Sequence, residues 1–264
     1  MMRRVSSLST VWLSVMIFIM LLPLMATLLN SVATEWSDTI LPSGITSGFY
    51  REVLSDTRFY AALLRSVTIA IIALSLGTLI IVPAVLTAHL YWPTLDRWMA
   101  RLVILPYAVP GIVLMVGYLR IFSGPPFAID GSPLVLVLVY IPACFPMFYI
   151  GVKNSLRSFN ARDLLDAGRL LGVGDVAILR RVITPCMLPG VMVAVVLNFA
   201  VLLSEFVYAK MLVGGNFETL QMYMYAQRNL SGHISSVIVI FYFLLILIIT
   251  FLAFRLLRHT ESRS

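Results

Sequence analysis

The chain has 264 residues, of which 60% are hydrophobic and 12% charged, and its mean hydropathy is +0.97. A soluble domain carries about 25% charged residues, so this is an integral membrane protein, and spans of about 20 apolar residues each leave no room for a large soluble domain. The formal charge of +7 does not point to nucleic acid, because the basic residues flank apolar runs instead of forming one basic face; they serve topology, beside membrane lipids.

Arg3 and Arg4 open the chain, ahead of an apolar run from Val11 to Leu29 interrupted by Pro23. A basic start and the small-residue step Ser31-Val32-Ala33 resemble a cleaved signal, but a signal's apolar core is usually about 7 to 15 residues. This run is longer and reads as a retained first transmembrane helix. Ser31 to Leu64 is polar and turn-rich. It predicts a loop with Trp36 as interfacial anchor, a turn at Leu41-Pro42-Ser43-Gly44 and a short surface helix over Phe49 to Ser55.

The second span is expected over Ser66 to Ala88 with a kink at Pro83, followed by a brief loop, Tyr91 to Arg101, anchored by Trp92 and Trp98. The third span, Leu102 to Phe122, carries Pro106, Pro110 and Gly111. Its prolines free backbone groups that neighbouring helices or water must satisfy, as at a pathway or a packed interface. Ser123 to Ser132 is a loop. The fourth span, Leu134 to Gly151, contains Pro142 and Pro146 and is closed by Lys153. A fifth span follows over Gly190 to Val213 and a sixth over Val237 to Leu257, with Tyr223 and Tyr225 between them as interface anchors. No internal repeat is evident.

Thirteen of the 19 Lys and Arg residues fall on one side of the membrane if the N-terminus is inside. The positive-inside rule then makes both termini and the segment between spans four and five cytoplasmic, and Ser31 to Leu64 external. Cys144 and Cys186 match neither a metal knuckle nor a redox pair and read as packing residues. His89, His233 and His259 lie near span ends without a ligand set. GxxxxGK[ST], HExxH and GxSxG are all absent, so the chain does not itself hydrolyse ATP and holds no cofactor.

The long polar interruption, Asp163 to Pro189, reads DLLDAGRLLGVGDVAILRRVITPCMLP. It is too polar for hydrocarbon. Leu164, Leu165, Ala167, Leu170, Leu171 and Val173 recur at helical spacing, predicting a short amphipathic helix broken at Gly172 and Gly174, with its apolar face offered to something outside the bilayer. Gly172 is expected in a backbone conformation that a Cβ disfavours. In the fifth span, Glu205 is a costly carboxylate, about 2.5 to 3.5 kcal/mol on insertion scales. With Asn198 and Tyr208 it shares roughly one helical face, and Ser204 stands beside it. These residues line a translocation route, or Glu205 sits at the outer interface and pairs with Lys210.

This polar stretch resembles the EAA loop of bacterial ABC importer permeases. Asp166, Ala167 and Gly168 stand at the Glu-Ala-Ala positions, Gly172 at the motif glycine, and Ile183-Thr184-Pro185 near the closing hydrophobic-proline step. Asp replaces Glu, Gly the second Ala, and Thr a Leu. The resemblance covers about Ala62 to Arg255 and implies the all-α, polytopic type I importer fold of about six transmembrane helices. Residues 1–61 would then form the first helix and external loop, 62–257 the transmembrane core with a coupling loop at 155–185, and 258–264 a cytoplasmic tail.

It also implies a complex in the bacterial inner membrane of two permease chains, two ATP-binding cassette subunits that bind ATP and Mg, and an extracytoplasmic solute-binding protein. Asp163, Asp166, Ala167, Gly168, Gly172 and Pro185 would serve the ATPase-coupling loop. Length, the external segment Leu41 to Thr46 and the Ser204-Glu205 step look like spermidine/putrescine-type permeases, with the 2-aminoethylphosphonate and ferric-iron branches as near alternatives. A stand-alone secondary transporter would usually show repeats and several intramembrane ionisable groups, and a membrane scaffold would not need a polar loop at this spacing.

Overall fold

The computed structural model describes residues 7–36, 42–228 and 230–261. Arg3, Arg4, Leu41 and Arg263 lie outside them, as do the side chains of Arg258 and His259. The first helix, α1, runs over Ser7–Val32 with Pro23 inside it. The segment after it pairs Ala33 with Ile45 in an isolated antiparallel bridge before α2, Gly48–Ser55. Helix α3, Thr57–Tyr91, starts well before the expected Ser66. Asp56 Oδ1 accepts the Arg58 N–H at 2.8 Å and so satisfies one of the donors that a helix start leaves open.

The expected loop at Tyr91 to Arg101 is instead a helix, α4, Pro93–Leu102. Proline at its start, Asp96 in the first turn and Arg101 in the last all agree with the helix dipole and with proline's missing N–H. The third span is not one continuous helix. It divides into α5, Leu105–Ala108, and α6, Gly111–Phe122, because Pro110 forces Val109 into extended backbone, φ −99° and ψ 124°, and cannot itself donate to the helix before it.

Helix α7, Pro133–Ser158, begins where Ser132 accepts the Leu134 N–H at 3.3 Å. It runs past the expected end at Gly151, since Val152, Lys153 and Leu156 are buried. The polar stretch folds as α8, Ala161–Leu170, and α9, Asp175–Ile178. A π-helical turn over Leu179–Ile183 then leads into α10, Thr184–Leu203. Pro185 has no N–H to give to the turn before it, and the wider π turn absorbs that missing bond. The fifth span thus starts earlier than Gly190, and it ends at Leu203 instead of Val213. A separate helix, α11, follows over Val207–Leu212, and a 3-10 turn over Gly214–Phe217. Helix α12, Leu220–Arg228, was not expected. The last helix, α13, is Gly232–Glu261.

Among the described residues, five helices are long and apolar enough to cross a membrane, Thr10–Val32, Thr57–Tyr91, Pro133–Ser158, Asp175–Leu203 and Gly232–Arg255, with Gly111–Phe122 as a shorter apolar helix. The chain divides into two compact units. One comprises residues 1–60 with 223–247. Within it Tyr223 is buried, with its hydroxyl donating to Asp56 Oδ2 at 2.7 Å and Phe59 beside its ring. It is a core residue and not the interface anchor expected, whereas Tyr225 is exposed. His233 stacks on Phe49 with ring centroids 4.9 Å apart.

The other unit comprises residues 61–222 with 248–264, and its core lies where α7 meets α10. A Cβ on Gly190 would stand 1.9 Å from Ser155 Oγ and 2.9 Å from the Gly151 carbonyl oxygen; one on Gly151 would stand 2.9 Å from both the Gly190 carbonyl oxygen and Ala194 Cβ. Gly151 with Ser155 and Gly190 with Ala194 form a small-residue step at i and i+4 on each helix, which lets backbones approach where lipid removes any hydrophobic drive between helices. Cys144 is buried in this core, whereas Cys186 is exposed and does not pack as expected.

Candidate functional site

Two sites in the larger unit gather the residues singled out by sequence, and the first is the α8 to α9 loop. Asn160 opens α8 in the left-handed region, φ 50°, and its side-chain amide donates to Asp163. Ala161 and Leu165 turn into the protein. The apolar residues therefore divide: Leu170, Leu171 and Val176 project from the loop at 89%, 82% and 78% exposure. Gly172 has φ +78° with nothing near the space of a Cβ, as expected from a sharp helix end. Gly168 is a glycine for a different reason, because a Cβ there would meet Ile178 Cδ1 at 2.5 Å.

Polar contacts fix this loop against the end of α3. Arg169 donates through Nε to Asp175 Oδ1 at 2.8 Å and through Nη2 to Asp175 Oδ2 at 2.6 Å, a two-pronged pair. Its Nη1 reaches Asp166 Oδ1 at 3.3 Å. Hydrogen bonding to Asp175 raises the Arg169 pKa above its ordinary value. The Tyr91 hydroxyl donates to Asp175 Oδ2 at 2.8 Å, and Arg162 Nη2 donates to the His89 carbonyl at 2.7 Å. Pro185 is exposed in the first turn of α10.

The second site is a cavity of about 590 Å³, walled by α3 to α7, α10 and α11, whose lining includes Leu102, Leu105, Pro106, Tyr118, Pro142, Asn198 and Tyr208. Asn198 is buried and donates to the Ala194 carbonyl at 2.9 Å. Tyr118 and Tyr208 meet edge to face, centroids 6.3 Å apart. Of the four pathway candidates, Asn198 and Tyr208 line this cavity while Ser204 and Glu205 do not.

Ser204 donates to the Val201 carbonyl at 2.9 Å. Glu205 lies in the break between α10 and α11, so it does not share a continuous helical face with Asn198 and Tyr208. Its Oε1 accepts the Tyr208 N–H at 2.8 Å, and its Oε2 accepts the Ala209 N–H at 3.1 Å and the Tyr140 hydroxyl at 3.2 Å. These are the open donors of a helix start, and Lys210 is not among the partners of this carboxylate. Tyr118 was missed because one tyrosine in an apolar run carries no signal without its neighbour across the cavity.

Residues 80–263 match the family described as "Binding-protein-dependent transport system inner membrane component". The chain belongs to this family. The permease is 26% identical over 205 residues to the putative 2-aminoethylphosphonate transport system permease protein PhnV of Salmonella typhimurium, covering 78% of this chain and 76% of that one. It is 25% identical over 186 residues to the spermidine/putrescine transport system permease protein PotC of Haemophilus influenzae, covering 69% and 70%.

Its fold is similar to that of the inward-facing methionine ABC transporter MetNI, with a TM-score of 0.64 at 17% identity over 78% of this chain and 99% of that one. A bacterial ABC transporter involved in alginate import gives 0.65 at 14% identity over 94% of each chain. The protein is therefore a multi-pass, inner-membrane permease of the type I ABC importer fold. It is not an enzyme; ATP is hydrolysed by a separate subunit.

Proposed function

We propose that this permease couples ATP hydrolysis by a cytoplasmic partner to uptake of a small amine-bearing solute, with a polyamine such as spermidine or putrescine as the first candidate and 2-aminoethylphosphonate as the second. The observation that carries the coupling half is the α8 to α9 loop. Leu170, Leu171 and Val176 stand nearly free of the chain that bears them, while Arg162, Arg169 and Asp175 hold the loop rigidly to α3. An apolar tip on a rigid polar base suits a groove on another protein. Asp163, Asp166, Ala167, Gly168, Gly172 and Pro185 act in this reading as its frame. The ATPase binds ATP and Mg; two permease chains, two ATPase chains and an external solute-binding protein complete the complex, with both permease termini in the cytoplasm.

The cargo half has separate support. The cargos named for the two groups of relatives have a primary amine in common. The tyrosine faces of the cavity and the Asn198 amide suit an ammonium group by cation–π attraction and hydrogen bonding. Uptake of labelled putrescine, spermidine and 2-aminoethylphosphonate, in proteoliposomes holding the permease with its ATPase and binding protein, tests it. Putrescine or spermidine accumulation is expected. Accumulation of 2-aminoethylphosphonate alone would replace the first candidate with the second, and accumulation of none would remove the amine reading. In the same particles Leu171→Asp is expected to lose co-purification with the ATPase.

A further inference from the structure

Away from the cavity lining and the exposed tip, four side chains from three helices form one hydrogen-bonded cluster. Lys153 of α7 is only 6% exposed. Its Nζ donates to Asp96 Oδ2 of α4 at 2.6 Å and lies 2.7 Å from His89 Nδ1 of α3. The Tyr149 hydroxyl, one turn earlier on α7, donates to Asp96 Oδ1 at 3.3 Å. Burial pushes the Asp96 carboxyl up, but the hydrogen bond and charge of Lys153 more than reverse this and leave it below its ordinary value. The Asp96 carboxylate is thus held ionised beside the Lys153 amine, 2.6 Å away. Packing alone does not require it, since apolar side chains of similar volume often hold a fold as well as a buried ion pair does.

His89 connects this cluster to the coupling helix. Its carbonyl accepts both Arg162 Nη2 at 2.7 Å and Arg162 Nε at 3.2 Å, and Arg162 stands in the first turn of α8. At the other end, Asp96 and Met99 are the two residues of α4 that are not exposed, so the grip of the protein on α4 is concentrated there. Helix α4 ends at Leu102, which together with Leu105 and Pro106 forms one wall of the cavity. Direct contacts therefore run from α8 through His89 and Lys153 to Asp96, and from there along α4 to the cavity.

We propose that the Asp96–Lys153 pair is a positioning joint that transmits displacement of the coupling helix to the Leu102 to Pro106 wall of the translocation cavity. A polar link suits this role because a shift at the ATPase must move one wall by a definite amount, and hydrogen-bonded ion pairs joined to a rigid helix are among the contacts that carry coupling between sites. The joint rests on the reading of α8 as the helix that docks on the ATPase and holds for any solute carried, so it stands or falls separately from the amine reading.

The test is therefore independent of cargo. In the permease–ATPase complex in proteoliposomes, with Cys186→Ser to remove the exposed thiol, Leu105→Cys reports on the wall by its rate of labelling with a maleimide. ATP with vanadate is expected to change that rate when Asp96 and Arg162 are native. Asp96→Asn, nearly isosteric, should shrink the change at least about fivefold, the lower range of a coupling between sites, with complex yield and the rate without nucleotide unaltered. Arg162→Gln should do the same, and the double variant should lose no more than the larger single loss, because both act in one series of contacts. If Asp96→Asn does not assemble, Arg162→Gln, which leaves the buried pair intact, carries the same readout. A native-sized response in the assembled single variants, multiplying losses in the double variant, or a native protein whose labelling ignores nucleotide would each overturn the proposal. So would a fall in complex yield with a normal response in the complexes that remain, which is what a purely structural pair predicts.

Discussion

Gly168 and Gly172 stand one turn apart in the same loop and are glycines for unrelated reasons. Gly172 needs backbone freedom, since its φ of +78° leaves the side-chain space empty. Gly168 needs space, because Ile178, itself buried, occupies the position of a Cβ. The loop pattern that this permease resembles has alanine at that place, and here Ile178 takes the space of its Cβ. Gly168→Ala is expected to destabilise the purified permease by about 1–3 kcal/mol through overpacking, and Gly168→Ala with Ile178→Val should recover part of that loss, because valine removes Cδ1, 2.5 Å from the added Cβ, and keeps Cγ1, 2.8 Å from it. The melting midpoint of the detergent-solubilised protein measures both; no recovery in the double variant would mean that Ile178 is not the obstacle.

Glu205 gives the second residue-scale lesson. In the sequence it is an isolated acid in an apolar run, and in the structure its oxygens accept the first free N–H groups of α11 and the Tyr140 hydroxyl. Glu205→Ala should cost about 0.5–2 kcal/mol, as for loss of a helix cap, and lower the amount of assembled complex. Uptake per assembled complex should stay at the native level. A drop in that normalised uptake for a cationic solute, with assembly intact, would return the carboxylate to the pathway.

At the scale of elements, the crossing of α7 and α10 decides whether the larger unit holds together. Gly190 faces the backbone of α7, with the Gly151 carbonyl oxygen 2.9 Å from where a Cβ would lie, and backbone cannot move aside as a flexible side chain can. Gly190→Leu is therefore expected to separate the helices and cost at least the ~1–3 kcal/mol typical of overpacking, with loss of folded protein from the membrane. Equal membrane levels for Gly190→Leu and native protein would contradict the close approach. Gly151 matches Gly190 across this crossing, while the tip residues Leu170 and Leu171 are free of it, so their replacement should impair partner binding without this loss of fold.

For the whole molecule, the positive-inside rule and the polar loop predict one orientation, with both termini and the α8 to α9 loop in the cytoplasm. Single cysteines at Ser43 and Ser158, in a background lacking the exposed Cys186, report on it. In intact cells an impermeant thiol reagent should modify Ser43→Cys and spare Ser158→Cys. The reverse pattern would invert the protein in the membrane and put the coupling loop on the side without ATP.

Composition and hydropathy alone determined that this is a polytopic membrane protein, because only closed backbone hydrogen bonding survives in hydrocarbon and runs of about 20 apolar residues announce it. The spacing of Asp166, Gly168, Gly172 and Pro185 was equally legible, since the end of a helix and a sharp turn are local events governed by a few neighbouring residues. Helix ends were less so. Val152, Lys153 and Leu156 extend α7 because of what they pack against, and Pro106 and Pro110 break the third span where hydropathy is uninterrupted. Lys153 shows the limit most plainly: along the chain it is a charge at the end of an apolar run, which reads as exposed. Only the tertiary structure brings Asp96 to within 2.6 Å and His89 to within 2.7 Å of it, from positions more than fifty residues away, and a pairing over that distance leaves no period or spacing in the sequence.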